Sequence, residues 1–206
     1  MKQYFTSDWH IGHKAILTFC PRPFSTIEEM AAGLITRYNA TVTDSDVCYF
    51  LGDMGFGKGS LLKDVISQLK GKKILIIGNH DGSVTSMYTA GFDAVLYGAR
   101  VKVGGTMVTL THCPLRGITR EDQANMKGTV EGEHWHGESR MKQYSIGWEP
   151  NTVHLHGHIH SPNRGYSTRE QGRQFDVGVD ANDYTPVSAS TIEKWIARMH
   201  QYMGDE

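Results

Sequence analysis

Five short apolar runs in this sequence end in aspartate, asparagine or histidine, residues able to hold metal ions and move protons. Asp8 and His10 follow residues 3–7, Asp53 follows 47–51, and Asn79, His80 and Asp81 follow 73–77. His112 comes after residues 107–111, and His158 and His160 come after residues 152–156. Carboxylate oxygen and imidazole nitrogen form the donor set of Mn, Fe, Zn, Co and Ni. Each residue alone has a bland reading. An Asp or Asn after a strand is commonly a turn or helix-cap residue, and a lone His is commonly a hydrogen-bonded structural one. An alternating His run such as 154–160 could be one face of a surface strand. Five strand ends carrying this narrow set together favour a metal site.

The elements that must position these residues follow from patterning. The first half reads strand, helix, strand, helix, strand, with helices expected over about 25–39 and 61–69. That is an α/β unit with a parallel sheet, and such sheets carry their sites at the carboxyl ends of strands. Ser25 with Glu28 has capping-box spacing for the first helix, and Ser190 with Glu193 for a C-terminal helix to about residue 200. The second half changes character. Residues 100–103 and 107–111 flank Gly104-Gly105 as a hairpin, and strands are expected at 152–156 and 175–179. Residues 114–150 show little periodicity, and a long irregular segment inside a compact domain is usually functional or mobile.

Composition narrows the classes. With 206 residues and no stretch that reads as a linker, one domain over 1–206 is expected. Lys and Arg number 21 against 22 Asp and Glu, for a net charge of -1. No basic face for duplex DNA is indicated, nor a disordered chain. Cys20, Cys48 and Cys113 are an odd number without a CxxC pair, which reads as three reduced, buried thiols. No apolar run approaches the ~18 residues of a membrane span, and the N-terminus lacks the apolar stretch of a signal peptide. A soluble, cytoplasmic protein is expected.

The ordered set Asp8-Trp9-His10, Gly52-Asp53, Gly78-Asn79-His80-Asp81, Thr111-His112 and Gly157-His158-Ile159-His160 resembles the five motifs of calcineurin-like metallophosphoesterases. The segments DWHIGHKAILTFCPRPF and FDVGVDANDYTPVS look like small bacterial or phage members of that family. The resemblance implies a four-layer αββα sandwich with two central mixed sheets. It also implies two divalent transition-metal ions, Mn favoured over Fe, Zn, Co or Ni. One ion would take Asp8, His10 and His160, the other Asn79, His112 and His158, with Asp53 bridging. A hydroxide between the ions would attack phosphorus. His80 would face the leaving group as catalytic acid, with Asp81 as its hydrogen-bond partner.

Residues outside these motifs carry further expectations. His13 either reaches the phosphate of a substrate or supports a neighbouring residue. His154 and His156 lie deeper in their strand and are expected to support the site or fill core, and Cys113 to pack. His134, Trp135 and His136, with Tyr144 and Trp148, could form a substrate-facing lid within 114–150 or an exposed loop. The segment Met54-Gly55-Phe56-Gly57 lacks the arginine that protein Ser/Thr phosphatases place after their Gly-Asp, and Asn79-His80-Asp81 departs from their Asn-His-Glu. The leading expectation is a phosphodiesterase or phosphatase acting on small or nucleotide-like phosphoesters. A nuclease using the same site and a non-catalytic scaffold binding a protein partner are the alternatives.

Overall fold

The computed structural model describes residues 1–55, 60–114, 144, 153–161 and 173–203. Two mixed sheets form its centre. The first has the order β4-β3-β2-β1-β9, from β1 (Gln3–Thr6), β2 (Val47–Phe50), β3 (Lys72–Ile76), β4 (Ala94–Leu96) and β9 (Val187–Ser188). Its first four strands run parallel and β9 pairs antiparallel to β1. The second has the order β5-β6-β7-β8, from β5 (Ala99–Val103), β6 (Thr106–Leu110), β7 (Val153–His156) and β8 (Arg173–Asp176). Here β5 and β6 form the expected hairpin, while β6, β7 and β8 run parallel.

Alternation along the strands makes two cores, since successive side chains point to opposite faces. Phe5, Leu51, Ile76, Val108, Leu110, Val153, Leu155 and Phe175 are buried in one cluster that includes residues of both sheets. Tyr4, Cys48, Phe50 and Leu75 instead join residues of α2 (Ile27–Thr41), α3 (Ser60–Ser67) and α4 (Val84–Ala90), which cover the first sheet. The C-terminal helix α5 (Ala189–Met203) adds Ile192 and Ile196 to the inter-sheet cluster. A short helix, α1 (Ile16–Phe19), follows the first strand end. This is the expected α/β sandwich. No helix among the described residues is long and apolar enough to cross a membrane.

Local boundaries differ from the pattern-based reading in instructive ways. Helix α2 is capped one residue later than expected: Thr26 Oγ1 accepts from Glu29 N, and the Glu29 carboxylate accepts from Ser25 N. Both Ser25/Glu28 and Thr26/Glu29 have the right spacing; the extended backbone of Thr26 (φ -136, ψ 161) decides between them. Helix α5 is likewise entered from Ser188, whose Oγ accepts from Thr191 N. The strand expected at 175–179 stops at Asp176, because Val179 N bonds Ser7 O and the chain turns into a 3-10 segment at Val179–Ala181. Replacing Thr26 with Ala is expected to lower stability by about 1 kcal/mol, as for other N-cap truncations, measured by chemical denaturation. The lid residues His134, Trp135, His136 and Trp148 lie outside the described residues.

Candidate metal centre

The carboxyl ends of β1, β2, β3, β6 and β7 meet at one end of the inter-sheet seam. Past β1 the chain stays paired with the segment after β2, through Asp8 N to Gly52 O at 3.1 Å and His10 N to Asp53 O at 2.9 Å. Asp8 (φ 61), His10 (φ 53), Asp53 (φ 52), His158 (φ 74) and His160 (φ 48) all adopt left-handed backbone. Residues other than glycine rarely do so, and such strain collects at functional sites. Two glycines make room. A Cβ at Gly52 (φ +91) would strike the His112 ring, and one at Gly157 would strike Ser7 Oγ and the Asp8 carboxylate.

The donor atoms fall into two groups. Oxygen and nitrogen atoms of Asp8, His10 and His160 lie within 4.8 Å of one another, with His10 Nε2 and His160 Nε2 3.2 Å apart. Across the seam, His112 Nε2 is 2.9 Å from Asn79 Oδ1 and 3.2 Å from His158 Nδ1. Asp53 Oδ2 lies between them, 3.6 Å from His10 Nε2 and 3.4 Å from His112 Nε2. The seven residues singled out in the sequence as ligand candidates lie together at this end of the seam.

Charge in this cluster is concentrated and buried. Burial pushes the Asp8 carboxyl up, and its Oδ1 has no hydrogen-bond partner. Burial also acts to raise Asp53, but His112 and His10 hold it below the usual carboxylate range. Burial opposes a proton on His112, yet the Asp53 carboxylate lifts it to about 9. Burial takes His10 down to about 2 and His158 down to about 3. A buried carboxylate oxygen with no donor among the described residues, beside imidazole nitrogens, is an arrangement that a divalent cation satisfies.

Around this cluster the candidate roles sort by geometry. The His80 ring is 5.3 Å from that of His10, and its backbone N donates to Asp53 Oδ1 at 2.8 Å. Asp81 differs from expectation. Its Oδ1 accepts from Met54 N at 2.8 Å and Gly55 N at 3.3 Å, and its Oδ2 from Gly78 N at 2.8 Å and Asp53 N at 3.0 Å. The carboxylate thus ties together the loops after β2 and β3 instead of holding the His80 ring. Burial and the nearby Asp53 charge push it up to about 6. His13 Nδ1 sits 3.1 Å from His10 Nδ1, on a part-buried ring beside the cluster.

His154 and His156 are buried outside the cluster. His154 Nε2 meets Thr111 Oγ1 at 2.7 Å, and His156 Nδ1 donates to Gly157 O at 2.9 Å. Cys113 reaches the His112 and His158 donors, and in the absence of an ion burial pushes its thiol up. All three cysteines are free and buried. Two residues that sequence reasoning passed over, Arg22 and Asp180, pair behind His160. Their signals are slight: an arginine between two prolines, and an acidic residue in the segment after β8.

Two mixed sheets packed face to face, with Asp, Asn and His gathered at their strand ends, define a two-sheet α/β sandwich with a candidate metal centre. No family model matches the chain. It is 32% identical over 198 residues to the Gene 66 protein of Mycobacterium phage L5, covering 86% of each chain, and it belongs to the family of that protein. An uncharacterized protein of Methanocaldococcus jannaschii is 27% identical over 199 residues, with 96% of this chain and 92% of that one covered. A solved Aquifex aeolicus protein of unknown function shares the fold, with a TM-score of 0.64 at 24% identity over 94% of this chain and 98% of that one.

Proposed function

We propose that this chain is a metal-dependent phosphoester hydrolase of the calcineurin-like type, acting on small or nucleotide-like phosphoesters. The observation that carries the proposal is the single carboxylate, Asp53, within reach of two separate donor sets. Asp8, His10 and His160 would hold one divalent ion and Asn79, His112 and His158 a second, with Mn²⁺ the favoured metal. Bound there, two divalent ions supply a water of lowered pKa and neutralise charge on the phosphoryl oxygens.

The chain's own residues do the rest. Asp53 and Asp8 would hold the negative charge that retains the ions, and the histidines would supply ring nitrogens as donors. His80, beside His10 and outside both donor sets, is placed to give a proton to a departing alkoxide. Replacing His80 with Ala is expected to leave metal content unchanged and to lower kcat about 10²-fold on alkyl esters, the scale of a lost general acid. On p-nitrophenyl esters, whose leaving group needs little protonation, the loss should be smaller. Equal activity on both substrate types relative to wild type would remove His80 from this role.

The reading is tested by assaying the protein with added Mn²⁺ against bis-p-nitrophenyl phosphate, p-nitrophenyl phosphate, cyclic nucleotides and single-stranded oligonucleotides. Hydrolysis that a chelator abolishes and Mn²⁺ restores is the expected result. A protein that binds divalent metal but turns over none of these substrates with Mn²⁺, Zn²⁺, Co²⁺, Ni²⁺ or Fe²⁺ would overturn it.

A further inference from the structure

His160 and His112 differ in what their second ring nitrogens meet, and for His160 it is a carboxylate. His160 Nδ1 is 2.8 Å from Asp180 Oδ2, which leaves Nε2 toward Asp8 and His10. Asp180 is gripped in turn by the buried Arg22, Nε to Oδ1 at 2.8 Å and Nη2 to Oδ2 at 2.7 Å. The same guanidinium reaches the backbone of the first motif, Nη2 to Asp8 O at 2.7 Å and Nη1 to Trp9 O at 3.1 Å. One side chain therefore braces both the left-handed turn at Asp8 and the acceptor behind His160. In the other donor set the contact behind His112 is uncharged: His112 Nδ1 donates to Leu51 O at 2.7 Å.

From this asymmetry we infer that Arg22 and Asp180 are positioning residues for His160, setting its tautomer and strengthening one ion site of the pair selectively. The inference rests on the reading of Asp8, His10 and His160 as ligands of one ion. A carboxylate behind a ligating imidazole fixes which nitrogen carries the proton and raises the basicity of the other; loss of such a partner typically costs ~10- to 100-fold in metal affinity. A neutral carbonyl behind His112 orients that ring without adding charge. Arg22 meets both oxygens of Asp180, so the carboxylate that faces His160 is itself held in place.

The test compares Mn²⁺ binding by wild type and D180N, using equilibrium dialysis with elemental analysis. Two ions are expected in wild type. In D180N one should weaken about 10- to 100-fold while the other keeps its affinity, and D180E should recover part of the loss. Wild type that binds no divalent ion would defeat the metal-site reading itself. Wild type with two ions and D180N with two ions of unchanged affinity, or with both equally weakened, would overturn the positioning role alone. If neither variant folds, ¹⁵N NMR of the histidine rings in the wild-type Zn²⁺ form decides: His160 must carry its proton on Nδ1 with Nε2 bound to metal, and the opposite tautomer refutes the inference.

Discussion

Asp53→Asn is expected to lower turnover at least ~10³-fold and to reduce bound metal below two ions per chain. The change keeps the size and shape of the side chain, so it tests charge and not packing. Asp53 is buried, and its Oδ2 faces His10 Nε2 at 3.6 Å and His112 Nε2 at 3.4 Å. An amide there carries no charge and presents hydrogens on one of its two ends. Each divalent ion supplies several kcal/mol of transition-state charge stabilisation, and ~4 kcal/mol corresponds to roughly 10³ in rate. Because Asp53 reaches both donor sets, its loss should be felt by both ions. Elemental analysis and turnover of bis-p-nitrophenyl phosphate in Mn²⁺ provide the measurement. Two ions and wild-type turnover in the variant would refute the shared-carboxylate arrangement.

The second large effect is on stability. Asp81→Ala removes the acceptor for the backbone N–H groups of Asp53, Met54, Gly55 and Gly78. A buried donor left without a partner costs ~1–3 kcal/mol. Water can enter to replace some of these contacts, so the expected total is about 3–5 kcal/mol, the range of a broken buried network. Urea denaturation should show a lower midpoint with the slope unchanged. Activity should fall as well, because the amide of Asp53 is one of the four donors and its carboxylate is carried on the loop that loosens. Asp81→Asn, which retains one acceptor oxygen but turns an NH2 toward the other pair of amides, should fall between alanine and wild type. A loss below about 1 kcal/mol in the alanine variant would show that the loops do not depend on this clamp.

The sequence displays the site more clearly than it displays what surrounds it, and the reason is geometrical. Asp8, Asp53, Asn79, His112 and His158 each follow an apolar run, so a local pattern marks them as strand-end residues. Arg22 and Asp180 stand 158 positions apart, and neither sits on a periodic element, so no local signal couples them. The family resemblance implies Asp81 as the partner of His80. In the tight turn after β3 its side chain instead reaches back to amides as far as 28 positions away. The cap of α2 falls one residue later because Ser25 and Thr26 each stand three residues before a glutamate, and only backbone angles separate them. Ser188, which caps α5, has Thr191 at that spacing and so shows no capping box. Two-residue β9 pairs only Tyr4 with Ser188 and Phe5 with Val187, too short a run to leave a period.

The placement of the candidate centre across the seam has a consequence for how the protein tolerates change. Asp8, His10, Asp53 and Asn79 ride on one sheet, while His112, His158 and His160 ride on the other. Each donor set draws ligands from both sheets, so the fit within each is a readout of how deeply Phe5, Leu51, Ile76, Val108, Leu110 and Leu155 interdigitate. Protein interiors transmit strain because they are close-packed, and a misplacement of ~1 Å can cost ~10²-fold in rate. Residues that touch no substrate thus act as shims, and a change of one methylene in that layer would be a calibration error at the centre before it was a folding defect.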